Sequence, residues 1–101
     1  MEKKYKTFSE FYTFYLAEHK NRTCRRLHFT GTLLLILMII YIFFSFRWTL
    51  LLSLPFVGYG FAWVGHFFFE KNRPATFTYP LFSLLGDFAM FKDILIGKIK
   101  Y

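Results

Sequence analysis

Three histidines, His19, His28 and His66, stand out in a chain whose other side chains are largely apolar. Imidazole is the commonest protein ligand for iron, zinc, copper and nickel near neutral pH. His28 and His66 lie nineteen residues on either side of Arg47. If the chain reverses at Arg47, two helices rising 1.5 Å per residue carry both rings to one level, about 28 Å from the turn. His19 sits on a preceding element, joined by a short polar link, and can fold onto the same end. Each histidine taken singly also fits a solvated or helix-capping role. Three arriving at one depth read as a metal site with positions left open for substrate, oxygen or water. Glu70 follows His66 by four residues, on the same helix face, placed to orient an imidazole or to bind the metal itself.

The elements that must position these rings are helical. Residues 27–46 are nearly all apolar, broken by His28, Thr30, Thr32 and Ser45. Twenty residues make about 30 Å of helix, enough to span a hydrocarbon core. Residues 49–69 form a second such run, interrupted by Ser53, Pro55 and His66, with a kink expected at Pro55. With Arg47-Trp48 as the connection, the two runs form a helical hairpin. Residues 7–20 repeat Phe8, Phe11, Tyr12 and Tyr15 at helical spacing, which predicts an amphipathic helix at the membrane surface. Asn21-Arg22-Thr23 offers a break and an N-cap before the next helix. Residues 80–91 are apolar again but carry Gly86 and Asp87, and are too short for a third crossing. They read as a re-entrant or interfacial helix. The expected fold is therefore all-α, a membrane helical bundle in one domain spanning residues 1–101.

Composition agrees with lipid as the solvent. Of 101 residues, 55% are hydrophobic and 25% aromatic, including sixteen Phe. A domain this small buries too little of its surface to hide that much apolar area from water. The net charge of +7 comes from basic residues flanking the apolar runs, which favours lipid headgroups over nucleic acid. Residues 1–28 hold seven Lys or Arg and residues 70–101 hold five, against Arg47 alone at the turn. That asymmetry predicts both termini on the cytoplasmic side. The single Cys24 rules out an intramolecular disulfide, and no signal peptide is evident. A bacterial inner membrane is favoured over the endoplasmic reticulum.

The other polar residues carry weaker signals. Arg22, Arg25, Arg26, Lys71 and Arg73 read as anchors, with Arg73 the first choice for a fatty-acid carboxylate. Gly58, Gly60 and Gly65 suggest close helix packing. Asp87 and Asp93 could serve catalysis, but read first as solvated at the interface. A short internal echo links Glu18-His19-Lys20-Asn21-Arg22 with Glu70-Lys71-Asn72-Arg73. No phosphate-binding Gly loop, CxxC pair or serine nucleophile elbow is present.

At these residues the chain resembles a known family. Phe11-Tyr12, Tyr15, His19, Asn21, His28 and Gly31 resemble its first signature. The second is carried by the run from Gly58 through His66, Glu70 and Arg73-Pro74-Ala75, continuing to Pro80, Ser83 and Met90. The chain is similar, over roughly residues 8–92, to the 2-hydroxy fatty acid dioxygenase family. That resemblance implies Fe(II)-dependent alpha-oxidation, in which a 2-hydroxy fatty acid and O2 give an acid one carbon shorter. It implies His19, His28 and His66 as iron ligands. The fungal member is longer and has a further histidine that nothing here replaces. The ligand set is then three histidines, these plus Glu70 or water, or a site completed across a homo-oligomer. Two other readings remain: a zinc-dependent lipid enzyme, and a non-catalytic membrane module for assembly or transport.

Overall fold

The Thr7 hydroxyl accepts the backbone N–H of Glu10 at 3.3 Å and so starts α1 (Phe8–Ala17). The computed structural model describes residues 4–101, and among these every regular element is helical. The aromatic repeat does form one helix face, but that face turns inward. Phe11 and Tyr15 are fully buried, in a cluster with Tyr79, Met90 and Ile94. That face packs on α4 (Pro80–Leu95). The contact depends on Gly86, where an added Cβ would stand 2.9 Å from the Tyr15 ring. The expected interfacial helix is thus longer than residues 80–91 and docks against both α1 and the helix Arg22–Ser45.

Asn21 caps α2 (Arg22–Ser45), its side chain accepting the Cys24 N–H at 3.1 Å. The helix begins five residues before the apolar run, because Cys24 and His28 face the interior. It ends at Phe46, whose φ of 58° turns the chain while its N–H bonds the Ile42 carbonyl. After Arg47 the return limb starts as a 3-10 helix, Trp48–Ser53, and becomes α3 at Leu54–Val64. Pro55 sits in the first turn of α3, where its missing N–H has no intrahelical acceptor to satisfy. It therefore marks a change of helix type rather than a kink within one.

The return limb continues as a π-helix, Gly65–Glu70, and stops at Lys71. Lys71 adopts a left-handed φ of 58°, so both its own N–H and that of Asn72 close on the His66 carbonyl. A short 3-10 turn at Ala75–Phe77 leads into α4. The hydroxyl of Tyr79 accepts the N–H groups of Lys4 and Tyr5 at 2.6 and 3.0 Å, tying the start of the chain to the same end.

Arg22–Ser45 and the continuous helical stretch Trp48–Glu70 are each long and apolar enough to cross a membrane, by length and composition. Their outward faces are large apolar side chains, among them Phe44, Leu52 and Phe56 at 83, 77 and 80% exposure. The glycines divide unevenly. Gly65 approaches Cys24 so closely that a Cβ would lie 2.8 Å from its sulfur. Gly60 has open space around it, and Gly58 meets only Leu35 at an ordinary 3.9 Å, so these two do not mark close packing.

Candidate metal centre

His19 lies two residues past the end of α1, in a turn whose N–H groups close on the last carbonyls of that helix. His28 stands in the second turn of α2, and His66 is the second residue of the π-helix. All three are buried, at 1, 4 and 3% exposure. Their ring centroids are 4.3, 4.5 and 4.9 Å apart, each pair edge to face.

Hydrogen bonds fix which nitrogen each ring presents. His19 Nδ1 lies 2.6 Å from the Tyr15 carbonyl, and His28 Nδ1 lies 2.9 Å from the Cys24 carbonyl. A carbonyl oxygen only accepts, so both Nδ1 atoms carry protons. His66 Nδ1 lies 2.7 Å from Asn72 Oδ1, while Asn72 Nδ2 donates to the Glu18 carbonyl at 3.2 Å. That second bond sets the amide the right way round, so His66 Nδ1 is also a donor. In each neutral ring the lone pair is left on Nε2.

The consequence is chemical. The Nε2 atoms of His19 and His28 face each other at 3.0 Å with no proton to share between them. Two lone pairs at that distance repel unless a cation lies between them. Nitrogens about 2.1 Å from one ion, at roughly a right angle, are themselves about 3 Å apart. The donor set therefore fits a transition metal, and the backbone bonds are of the kind that orient metal-bound imidazoles. A cavity of about 20 Å³ adjoins the three rings, room for one small species. Burial, and then the neighbouring His28 and His66 rings, hold His19 well below the usual imidazole range. It is therefore neutral near pH 7, the form that ligates.

Cys24 joins the group. Its sulfur and the three imidazoles each offer an atom within 4.8 Å of the others. The sulfur lies 3.7 Å from His28 Nδ1, on the protonated flank of that ring, and rests against Gly65. Tyr15 stacks on His19, with centroids 4.1 Å apart, and its hydroxyl donates to the Asp87 carboxylate. Asp87 lines the histidine cavity with Tyr59, Trp63 and Ser83. Burial pushes its carboxyl up to about 7, although the Tyr15 hydroxyl pulls it part of the way back. Asp87 is thus half-buried and paired with Tyr15 rather than freely solvated.

Glu70 and Arg73 stand outside the four-residue donor group. The Glu70 carboxylate accepts the backbone N–H of Asn21 and so joins the end of the π-helix to the start of α2. The Arg73 guanidinium lies over the Phe77 ring at 5.1 Å and lines a cavity of about 370 Å³ with Lys4 and Glu18. Pro74 and Ala75 line both that cavity and the histidine cavity. The sequence reading gave Asn72 no role at the site, and it placed Tyr15 and Asp87 on a helix face and at the interface rather than beside the histidines. The echo between the two Asn-Arg segments was the available signal for Asn72.

Residues 5–99 match the family model described as "2-hydroxy-palmitic acid dioxygenase Mpo1-like". No significant match to a curated protein or to a solved structure accompanies it.

Proposed function

The chain belongs to the Mpo1-like 2-hydroxy-palmitic acid dioxygenase family, and from that membership we propose how its buried histidine cluster serves the reaction. It is an Fe(II)-dependent enzyme of alpha-oxidation. The overall change is balanced: a 2-hydroxy acid and O2 give the acid one carbon shorter, CO2 and water. Four electrons pass from the two terminal carbons to O2.

His19, His28 and His66 hold Fe(II) through Nε2. The observation that carries this reading is the pair of unprotonated nitrogens facing each other at 3.0 Å. Bound there, iron supplies the affinity for O2 and for the paired oxygens of a 2-hydroxy acid. The chain's own groups do the rest. The Tyr15, Cys24 and Asn72 oxygens keep the three rings in the ligating tautomer. Asp87, held near neutrality beside the cavity, is placed to keep or release a proton there. Arg73, in the cavity beyond Pro74 and Ala75, draws the substrate carboxylate toward this end of the protein by long-range attraction. Glu70 acts as a positioning residue through Asn21, fixing α2 against the π-helix.

The two long apolar helices cross the bilayer, with the histidines near its cytoplasmic edge and both termini on that side. Support comes from their outward Phe and Leu side chains and from the basic residues at that end. The substrate then reaches the site from the membrane. One specific observation favours a rival: a thiol beside three imidazoles also suits zinc.

Purification under anaerobic conditions, followed by Fe(II), air and 2-hydroxypalmitate, tests the reading. The fifteen-carbon acid and CO2 are expected in equal amounts. Bound zinc, or bound iron with no shortened acid, overturns it.

A further inference from the structure

A second cavity, of about 420 Å³, begins where the histidine cavity ends, a volume in the usual range for ligand pockets. Tyr59 and Asp87 line both. From that shared wall the groove follows the hairpin toward its turn. Thr32, Leu35 and Ile39 of α2 form one side, and Gly58, Leu54 and Leu51 of the return limb form the other. Residues of α4 close the third side. Apart from Thr32, Tyr59 and Asp87 at the histidine end, every lining residue is apolar. Along α2, Thr32 lies about 6 Å beyond His28 and Ile39 about 16 Å beyond it. The groove is thus polar at the metal site and apolar along its length.

We propose that this groove holds the acyl chain of the substrate, and that Gly58 sets how long a chain fits. The assignment rests on the dioxygenase reading of the histidine site. Continuity with the histidine cavity favours a substrate chain over a structural membrane lipid. Gly58 lies about 12 Å along the return limb from His66. A Cβ added there meets only Leu35 Cδ1 at 3.9 Å, so a larger side chain grows into the groove without displacing backbone. A Leu at that position blocks the passage between its two ends.

The test compares wild type with Gly58→Leu on 2-hydroxypalmitate and 2-hydroxyoctanoate, with iron content measured for both proteins. The ratio of kcat/KM for the long acid to that for the short one is expected to fall at least tenfold in the variant. An unchanged ratio at equal iron content overturns the assignment. A second readout needs no turnover: the iron-free protein is photolabelled with palmitate carrying a diazirine at its far end. Labels are expected at Ile39 or Leu51 in wild type and are lost in Gly58→Leu. Labels confined to the outward residues Phe44, Leu52 and Phe56 mark a general lipid surface and overturn the groove. If wild type turns over neither acid while labels still map to the groove, the dioxygenase reading fails and the acyl site stands.

Discussion

Asn72 Oδ1 accepts a hydrogen bond from His66 Nδ1 at 2.7 Å, and Asn72 Nδ2 donates to the Glu18 carbonyl at 3.2 Å. One side chain thereby sets the tautomer of a ring from the second long helix and ties it to the segment bearing His19. The partner half of the echo reciprocates. Asn21 caps α2 above Cys24 and His28, and its backbone N–H is held by Glu70. The two Asn-Arg segments, fifty-one residues apart, brace each other across the metal centre.

Replacing Asn72 by Leu removes the acceptor that keeps His66 Nε2 unprotonated. Iron affinity is expected to fall about 10- to 100-fold, the usual cost of losing an outer-shell partner. Asn72→Asp retains an acceptor and should lose much less. Competition against a chromogenic chelator measures both, and equal affinity in wild type and Asn72→Leu contradicts the assigned role.

Asp87 gives a pH dependence with a definite sign. Its folded carboxyl titrates at about 7, against 3.8 when unperturbed. The folded state thus retains a proton that the unfolded chain has released. The stability this contributes is complete below the unfolded value and is lost as pH rises through about 7. Between pH 6 and pH 8 the loss amounts to about 1 kcal/mol, on the order of 5 °C in Tm. Asp87→Asn keeps an acceptor for Tyr15 and removes the titration. Its Tm should therefore drop by less over that interval, and parallel curves for the two proteins would refute the assignment.

The Gly65 contact predicts a coupling between positions. Gly65→Ala puts a methyl group 2.8 Å from the Cys24 sulfur, so the π-helix and α2 must separate. A loss of about 1–3 kcal/mol is expected from this overpacking. Removing the sulfur with Cys24→Ala in the same chain should restore part of it, which a double-mutant cycle in denaturant reads directly. Strict additivity of the two changes would show that the sulfur is not what the methyl group meets.

Much of this arrangement was legible in the sequence because it follows from counting along helices. The equal spacing of His28 and His66 about Arg47 placed their rings at one depth, and Asn21 announced the start of α2. The π-helix at Gly65–Glu70 was not legible, since residues that suit an α-helix suit one wider turn equally well. Nor was the partner of Glu70 legible, since its carboxylate accepts the Asn21 N–H from a segment 49 residues away in sequence. The inward turn of α1 was also hidden. Its aromatic face fits a membrane surface as well as it fits α4, and only the Gly86–Tyr15 contact decides between them. Asp87 looked solvated for the same reason, because its partner, the Tyr15 hydroxyl, comes from α1.

The most direct measurement is the iron content of anaerobically reconstituted wild type beside His19→Ala, His28→Ala and His66→Ala, each checked for retained helicity. One Fe(II) per chain is expected in wild type, and less than a tenth of that in each variant. Full iron in any one of the folded variants would mean that its ring is not a ligand, and full iron in all three would place the metal elsewhere.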